Sequence, residues 1–155
     1  MRQPNFWYFD EPNLLANLLY PLSVIFSLLG RISLFFVEPW KASVPVICIG
    51  NLVVGGSGKT PTAIALATVL KSKGWEPHFL TRGYGGTTTE PLLVNIQNHS
   101  SDVVGDEALL LAEILPTWVS SNRTKSAKLA IENGANILIL DDGFQNASIQ
   151  KDLSI

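Results

Sequence analysis

One cysteine, Cys48, stands in this 155-residue chain, which excludes any intramolecular disulfide. It falls in an apolar stretch, so a core role is expected rather than a reactive one. Histidine is nearly as scarce. His78 and His99 lack metal-ligand spacing, so no metal centre is built on them. Charge is sparse too: 15% of residues are charged and the net charge is −2. Composition therefore points to no nucleic-acid partner. No internal repeat and no low-complexity run interrupts the chain. The triplets at Asn98, Asn122 and Asn146 fit the glycosylation pattern, but that pattern is short and carries no secreted reading. The length suffices for one domain with a real core.

The apolar content, 46% of residues, is concentrated near the N-terminus. From Leu14 to Val37 the one charge is Arg31. A helix over about 24 residues is about 36 Å long, enough to span a bilayer. No basic segment precedes it and no small-residue cleavage site follows, so it is not expected to be a signal peptide. At helical spacing Asn13, Asn17, Ser23, Ser27, Gly30 and Arg31 share an arc of roughly 140°. Leu15, Leu18, Leu22, Ile25, Leu29 and Phe36 fall opposite. Trp7, Tyr8 and Trp40 flank the segment, as interfacial anchors do. Burial of each apolar side chain contributes about 1.5–3 kcal/mol. Arg31 costs about 2.5–3.5 kcal/mol at mid-bilayer, so it does not veto insertion. Residues 1–41 are thus expected to be a membrane-associating helix and its flanks, spanning or surface-lying. A long amphipathic core helix is the competing reading.

Residues 42–155 read differently. Val44 to Gly50 is an apolar, β-branched stretch typical of a buried strand. Val53, Val54, Gly55, Gly56, Ser57, Gly58, Lys59 and Thr60 follow, and then a helix running to Lys73. Strand, glycine loop ending in Gly-Lys-Thr, and helix make a phosphate-binding P-loop, here with Val53 where the strict pattern has glycine. Glycines let the backbone approach a phosphate, and their N–H groups with the helix N-terminus form an anion nest. Lys59 supplies a compact cation for the β- and γ-phosphates, and Thr60 a hydroxyl for Mg²⁺. The expected ligand is a nucleoside triphosphate such as ATP.

Strand-like and helix-like segments alternate over the rest of the chain. Pro77 to Thr81, Leu92 to Ile96, Trp118 to Ser120 and Asn136 to Leu140 read as strands. Asp106 to Leu115 and Thr124 to Asn133 read as helices. The fold class expected is α/β: a P-loop NTPase-like parallel sheet covered by helices, with ligands at the strand C-termini. Asp141 and Asp142 end the last strand, where the second P-loop signature places an acid beside Mg²⁺. Asp-Asp-Gly is also good turn chemistry. Asp106 and Glu107 read, by themselves, as ordinary partners of a helix dipole. Arg82 and Arg123 each follow a strand and either face phosphates or are solvated at the surface.

Together these motifs resemble the tetraacyldisaccharide 4′-kinases (lipid A 4′-kinases). The matching pieces are Gly50-Asn51-Leu52, Gly55 through Pro61, Thr81-Arg82-Gly83-Tyr84-Gly85, Val104-Gly105-Asp106-Glu107, Asn122-Arg123, and Asp141-Asp142-Gly143-Phe144-Gln145. Order and spacing fit as well, and that family also lacks glycine at the position of Val53. Asn146 departs from it, because the family usually carries histidine there.

The resemblance implies an enzyme at the cytoplasmic face of the bacterial inner membrane. It implies transfer of the γ-phosphoryl group of ATP to the 4′-hydroxyl of a tetraacylated glucosamine disaccharide 1-phosphate, the lipid A precursor. Asp106 is then the base, with Glu107 beside it near the metal and nucleotide. Asp141 and Asp142 hold Mg²⁺, and Arg82 and Arg123 are secondary polar contacts. It further implies that the second half of the family fold is missing here. The competing expectations are a truncated, non-catalytic nucleotide-binding membrane module, or a P-loop ATPase or ligase with another acceptor.

Overall fold

The computed structural model describes residues 18–25, 38–50 and 58–155, with Lys59 described by its backbone alone. The chain divides into two compact units, Met1–Glu38 and Pro39–Ile155. In the first unit, residues 18–25 are helical. Leu18, Leu22 and Ile25 recur at helical spacing and are exposed. Among the described residues no helix is long and apolar enough to cross a membrane. The rest of the apolar stretch from Leu14 to Val37 lies outside the described residues.

The second unit is a six-stranded sheet with helices on both faces. Its elements are β1 (Val46–Ile49), α1 (Lys59–Ser72), β2 (Pro77–Thr81), β3 (Leu92–Leu93), α2 (Ser101–Val104), α3 (Asp106–Ala112), β4 (Thr117–Val119), α4 (Arg123–Glu132), β5 (Ile137–Asp141) and β6 (Leu153–Ser154). The strand order is β3-β4-β2-β5-β1-β6. Strands β1, β2 and β5 are buried along their whole length, as strands covered on both faces must be.

Side-chain alternation assigns the two faces. Phe79, Ile139 and Ile49 pack with Ala63 and Ala67 of α1 and Leu111 of α3. Leu80, Leu138, Leu140 and Cys48 pack with Ala127 and Ala130 of α4. The alanines recur at i and i+3 or i+4, so each helix lays a small-residue stripe close against the sheet. Cys48 is fully buried, and burial pushes its thiol above the ordinary range, in keeping with a core role. Helices α1 and α4 both stop in Schellman turns. Trp75 N–H donates to Leu70 O (3.1 Å) and Ala135 N–H to Ala130 O (3.0 Å).

One expectation is corrected. The sheet is not wholly parallel: β3 pairs antiparallel with β4 at the edge. A strand with one neighbour is free of the crossover constraint on interior strands. Strand β3 is also short, because Asn95 ends it with Oδ1 accepting from Gln97 N–H at 2.9 Å, an Asx turn. Trp40, read in the sequence as a flank of the apolar segment, packs on the second unit. It bridges Ile149, its N–H donates to Ser148 O at 2.9 Å, and its half-buried ring packs on the core. Lys128 Nζ lies 5.5 Å from the ring centroid.

A buried histidine gives this unit an acid-sensitive point. His78 Nδ1 accepts from Trp118 Nε1–H at 3.3 Å, so that nitrogen carries no proton. Burial holds the imidazole below its ordinary range, against a smaller opposing effect from Glu76. The unfolded chain then takes up a proton below about pH 6.5 that the folded chain resists, so stability falls as pH drops through that point. Melting temperature is expected to decline from about pH 7.5 to about pH 5.5, and His78→Asn to flatten the decline. An unchanged slope in that variant would assign the effect to other groups.

Candidate nucleotide site at the strand ends

The parallel strands bring four chain exits to one edge of the sheet. Ile49 lies opposite Asp141, and Thr81 opposite Val119. Leu80 pairs with Leu140, which puts Thr81 next to Asp141. Val119, Thr81, Asp141 and Ile49 therefore form one row, and the residues that follow them face a common space. Asp141 continues the Ile137, Ile139 alternation, so it stands on the sheet face that α1 covers. It is 1% exposed.

Helix α1 starts at this edge. Its N-cap is Gly58, in the left-handed region at φ 74°, with no side chain capping the helix. No acid stands in the first turn, and Pro61 has no N–H to offer. Among the described residues no side chain takes up the first amides, which with the dipole suit an anion. Thr60 is half-buried in that turn. Val53, Val54, Gly55, Gly56 and Ser57 lie outside the described residues, as does the Lys59 side chain.

The motif after β5 is a turn packed on β1. Asp142 adopts φ 52°, a conformation aspartate tolerates better than most residues. Phe144 then lies over Gly50, the last described residue before the glycine loop. A methyl group on Gly50 would come within 2.7 Å of Phe144 Cγ. Glycine and phenylalanine in these two motifs are thus two halves of one contact.

A second close contact positions Asp106 and Glu107. Gly83 has φ 70°, and a methyl group there would overlap Val119 Cγ1 and come within 2.6 Å of Val104 O. The turn after β2 therefore rests directly on the joint between α2 and α3. Asp106 and Glu107 open α3 just beyond that joint, and both are exposed. Gly83→Ala is expected to destabilise the fold by roughly 2–4 kcal/mol, from the left-handed backbone and the overlap together. A denaturant midpoint within error of the parent would refute the contact.

For Arg123 the sequence left two places open, facing phosphates or solvated at the surface. Arg123 is 4% exposed, far from the solvated alternative. Asn122 caps α4, its Oδ1 accepting from Lys125 N–H at 3.1 Å, and this fixes the first turn. Arg123 Nη1 donates to Ser120 O (3.3 Å), and Nη2 approaches Asp141 O (3.5 Å). Burial lowers its pKa to about 10, offset in part by Asp141, so it stays cationic at neutral pH. Arg82, Ser121, Arg123, Asp142, Gln145 and Asn146 line a cleft of about 330 Å³ beside the strand ends. Ser121 carries no signal in the sequence, since nothing periodic marks a residue before a helix cap.

Among the described residues no group of three or more histidines, cysteines or carboxylates is placed to hold a metal ion. The acidic pair Asp141–Asp142 and Glu107 therefore do not form such a group.

Residues 15–155 match the family model for tetraacyldisaccharide-1-P 4′-kinase, LpxK. Curated relatives carry the name tetraacyldisaccharide 4′-kinase. The protein from Paramagnetospirillum magneticum is 54% identical over all of this chain and 47% of its own length. That from Parvibaculum lavamentivorans is 51% identical over all of this chain and 46% of its own length. The chain spans about half the length of the curated relatives it matches. Among solved structures, LpxK from Aquifex aeolicus in complex with ATP superimposes with a TM-score of 0.78 at 35% identity. That match covers 91% of this chain and 48% of the other.

Proposed function

Because the chain belongs to the tetraacyldisaccharide 4′-kinase family, we propose that it forms the nucleotide-binding part of a lipid kinase. The reaction is transfer of the γ-phosphoryl group of ATP to the 4′-hydroxyl of a tetraacylated glucosamine disaccharide 1-phosphate. The observation that carries this reading is the place of Asp141. It sits on the face of α1, in register with the end of β1, where an acid faces the helix that opens with Gly58-Lys59-Thr60.

Val53 to Thr60 are assigned to the phosphates, with backbone N–H groups and the Lys59 ammonium as donors. Asp141, Asp142 and the Thr60 hydroxyl are assigned to Mg²⁺. This all-oxygen set is small, which suits an ion that keeps waters and phosphate oxygens in its shell. When bound, Mg²⁺ neutralises charge on the β- and γ-phosphates. Asp106 takes the proton of the 4′-hydroxyl as that oxygen attacks the γ-phosphorus and the bond from that phosphorus to the β-γ bridging oxygen breaks, with ADP as the leaving group; Glu107 stands beside it. The fixed joint under Asp106 supports the role, because a base acts only within hydrogen-bond reach of its proton. The acceptor's acyl chains stay in the bilayer. The apolar segment of residues 1–41 keeps the site at the cytoplasmic face of the inner membrane, near the sugar headgroup.

Incubation of the chain with labelled ATP, Mg²⁺ and the disaccharide in vesicles tests the reading. Label on the 4′ position supports it, and co-flotation that is lost without residues 1–41 supports the membrane role. Nucleotide binding without transfer restricts this chain to a binding role. Transfer to some other acceptor alone, or no heat with Mg-ATP in calorimetry, rejects the reading.

A further inference from the structure

We infer that Lys151 is a positioning residue for the nucleotide: its ammonium holds Phe144 over Gly50, and so fixes the chain where it leaves β1 on the way to Val53 to Thr60. The inference rests on the kinase reading only for the identity of that ligand. Three observations carry it.

The first is a pair of contacts from one side chain to one residue. Lys151 Nζ donates to Phe144 O at 2.8 Å and lies 5.8 Å from the centroid of the Phe144 ring. The turn that carries Phe144 closes on a different carbonyl, with Asn146 N–H donating to Gly143 O at 3.0 Å. Phe144 O is thus left for an outside donor, and a cation makes the stronger bond. Burial raises the Cys48 thiol, and the Lys151 cation is the largest influence opposing it, so the ammonium also stands close to β1 beneath this turn.

The second is what Phe144 covers. A methyl group on Gly50 would overlap Phe144 Cδ2, so the ring rests directly on the Gly50 backbone. Gly50 N–H donates to Ile155 O (3.1 Å), and Gly143 N–H approaches Ile49 O (3.4 Å). The end of β1 is therefore held between the turn and the chain that follows β6. The third is how Lys151 is mounted. Gln150 N–H donates to Trp40 O (2.9 Å). Asp152 N–H donates to Val46 O (2.9 Å), and Asp152 Oδ2 accepts from Val46 N–H (2.8 Å). Both neighbours of Lys151 are tied down, so its contact with Phe144 starts from a fixed backbone and less ordering entropy opposes it. Without the ammonium, Phe144 is free to lift from Gly50. The nucleotide must then order that segment as it binds, which costs affinity.

The test is calorimetry with Mg-ATP on this chain, alongside melting temperature. Lys151→Met keeps the apolar stem and removes the charge. It is expected to weaken Mg-ATP binding about five- to tenfold while melting temperature holds. Lys151→Arg keeps a cationic donor and is expected to recover most of the affinity. Phe144→Ala is expected to weaken binding to a similar extent, and Lys151→Met to add nothing further in that background, because the two residues act as one unit. If Phe144→Ala does not fold, the two Lys151 variants decide. Unchanged Mg-ATP affinity in Lys151→Met overturns the role while nucleotide binding stands. So does a loss that arginine fails to recover. A loss that adds in full to that of Phe144→Ala also overturns it, since Lys151 then acts by a route other than Phe144. Absence of any nucleotide binding by the unaltered chain removes the kinase reading and this role together.

Discussion

Asp141→Asn in the intact kinase is expected to lower kcat/KM by about 10³-fold or more, the scale of removing a group that stabilises transferring phosphoryl charge. Asparagine keeps the volume and hydrogen-bonding capacity and removes the negative charge. The loss should be partly recovered at raised Mg²⁺, because a weaker site fills at higher concentration. A structural role predicts something else. Asp141 is the largest opposing influence on the lowered pKa of Arg123. If that pairing were its whole purpose, the variant would melt earlier and transfer phosphate normally. Activity within about tenfold of the parent, in a folded variant, would reject the metal assignment.

Asp106→Ala is expected to lower kcat by roughly 10²–10⁴-fold, the contribution of a positioned general base, with Mg-ATP affinity retained. The structure supports this separation. Asp106 is exposed in the first turn of α3 and does not line the cleft of Arg82 and Arg123. Its removal takes nothing from the core, so melting temperature should hold. Single-turnover measurements check the point. An unchanged rate of the chemical step would return Asp106 and Glu107 to ordinary helix-dipole partners.

Much of the interior was legible in the chain because burial writes itself into short-range pattern. Ile137-Leu138-Ile139-Leu140 cannot be a surface segment, and its strand spans Ile137–Asp141. Helix ends were legible for the same local reason, since Gly74 and Gly134 supply the turns that close α1 and α4. Strand β3 was overextended because an Asx turn at Asn95 outweighed the apolar run before it. For Arg123 the sequence left two places open, facing phosphates or solvated at the surface, because a guanidinium near a helix start is often solvated. Nothing local announces that this one lies under the ends of two strands.

Taken alone, the sequence determined the alternation of strands and helices, the glycine-rich run of residues before Lys59-Thr60, and the family motifs. Those properties depend on residues within a few positions of one another. Only the tertiary structure decided that β5 lies beside β1, which puts Asp141 on the face of α1. It also decided that Phe144 covers Gly50, that Gly83 rests on Val104, and that two arginines meet in one cleft. Strand order and close packing are set by contacts between segments far apart in the chain, whose free energy is shared among many side chains and leaves no periodic trace in any one of them.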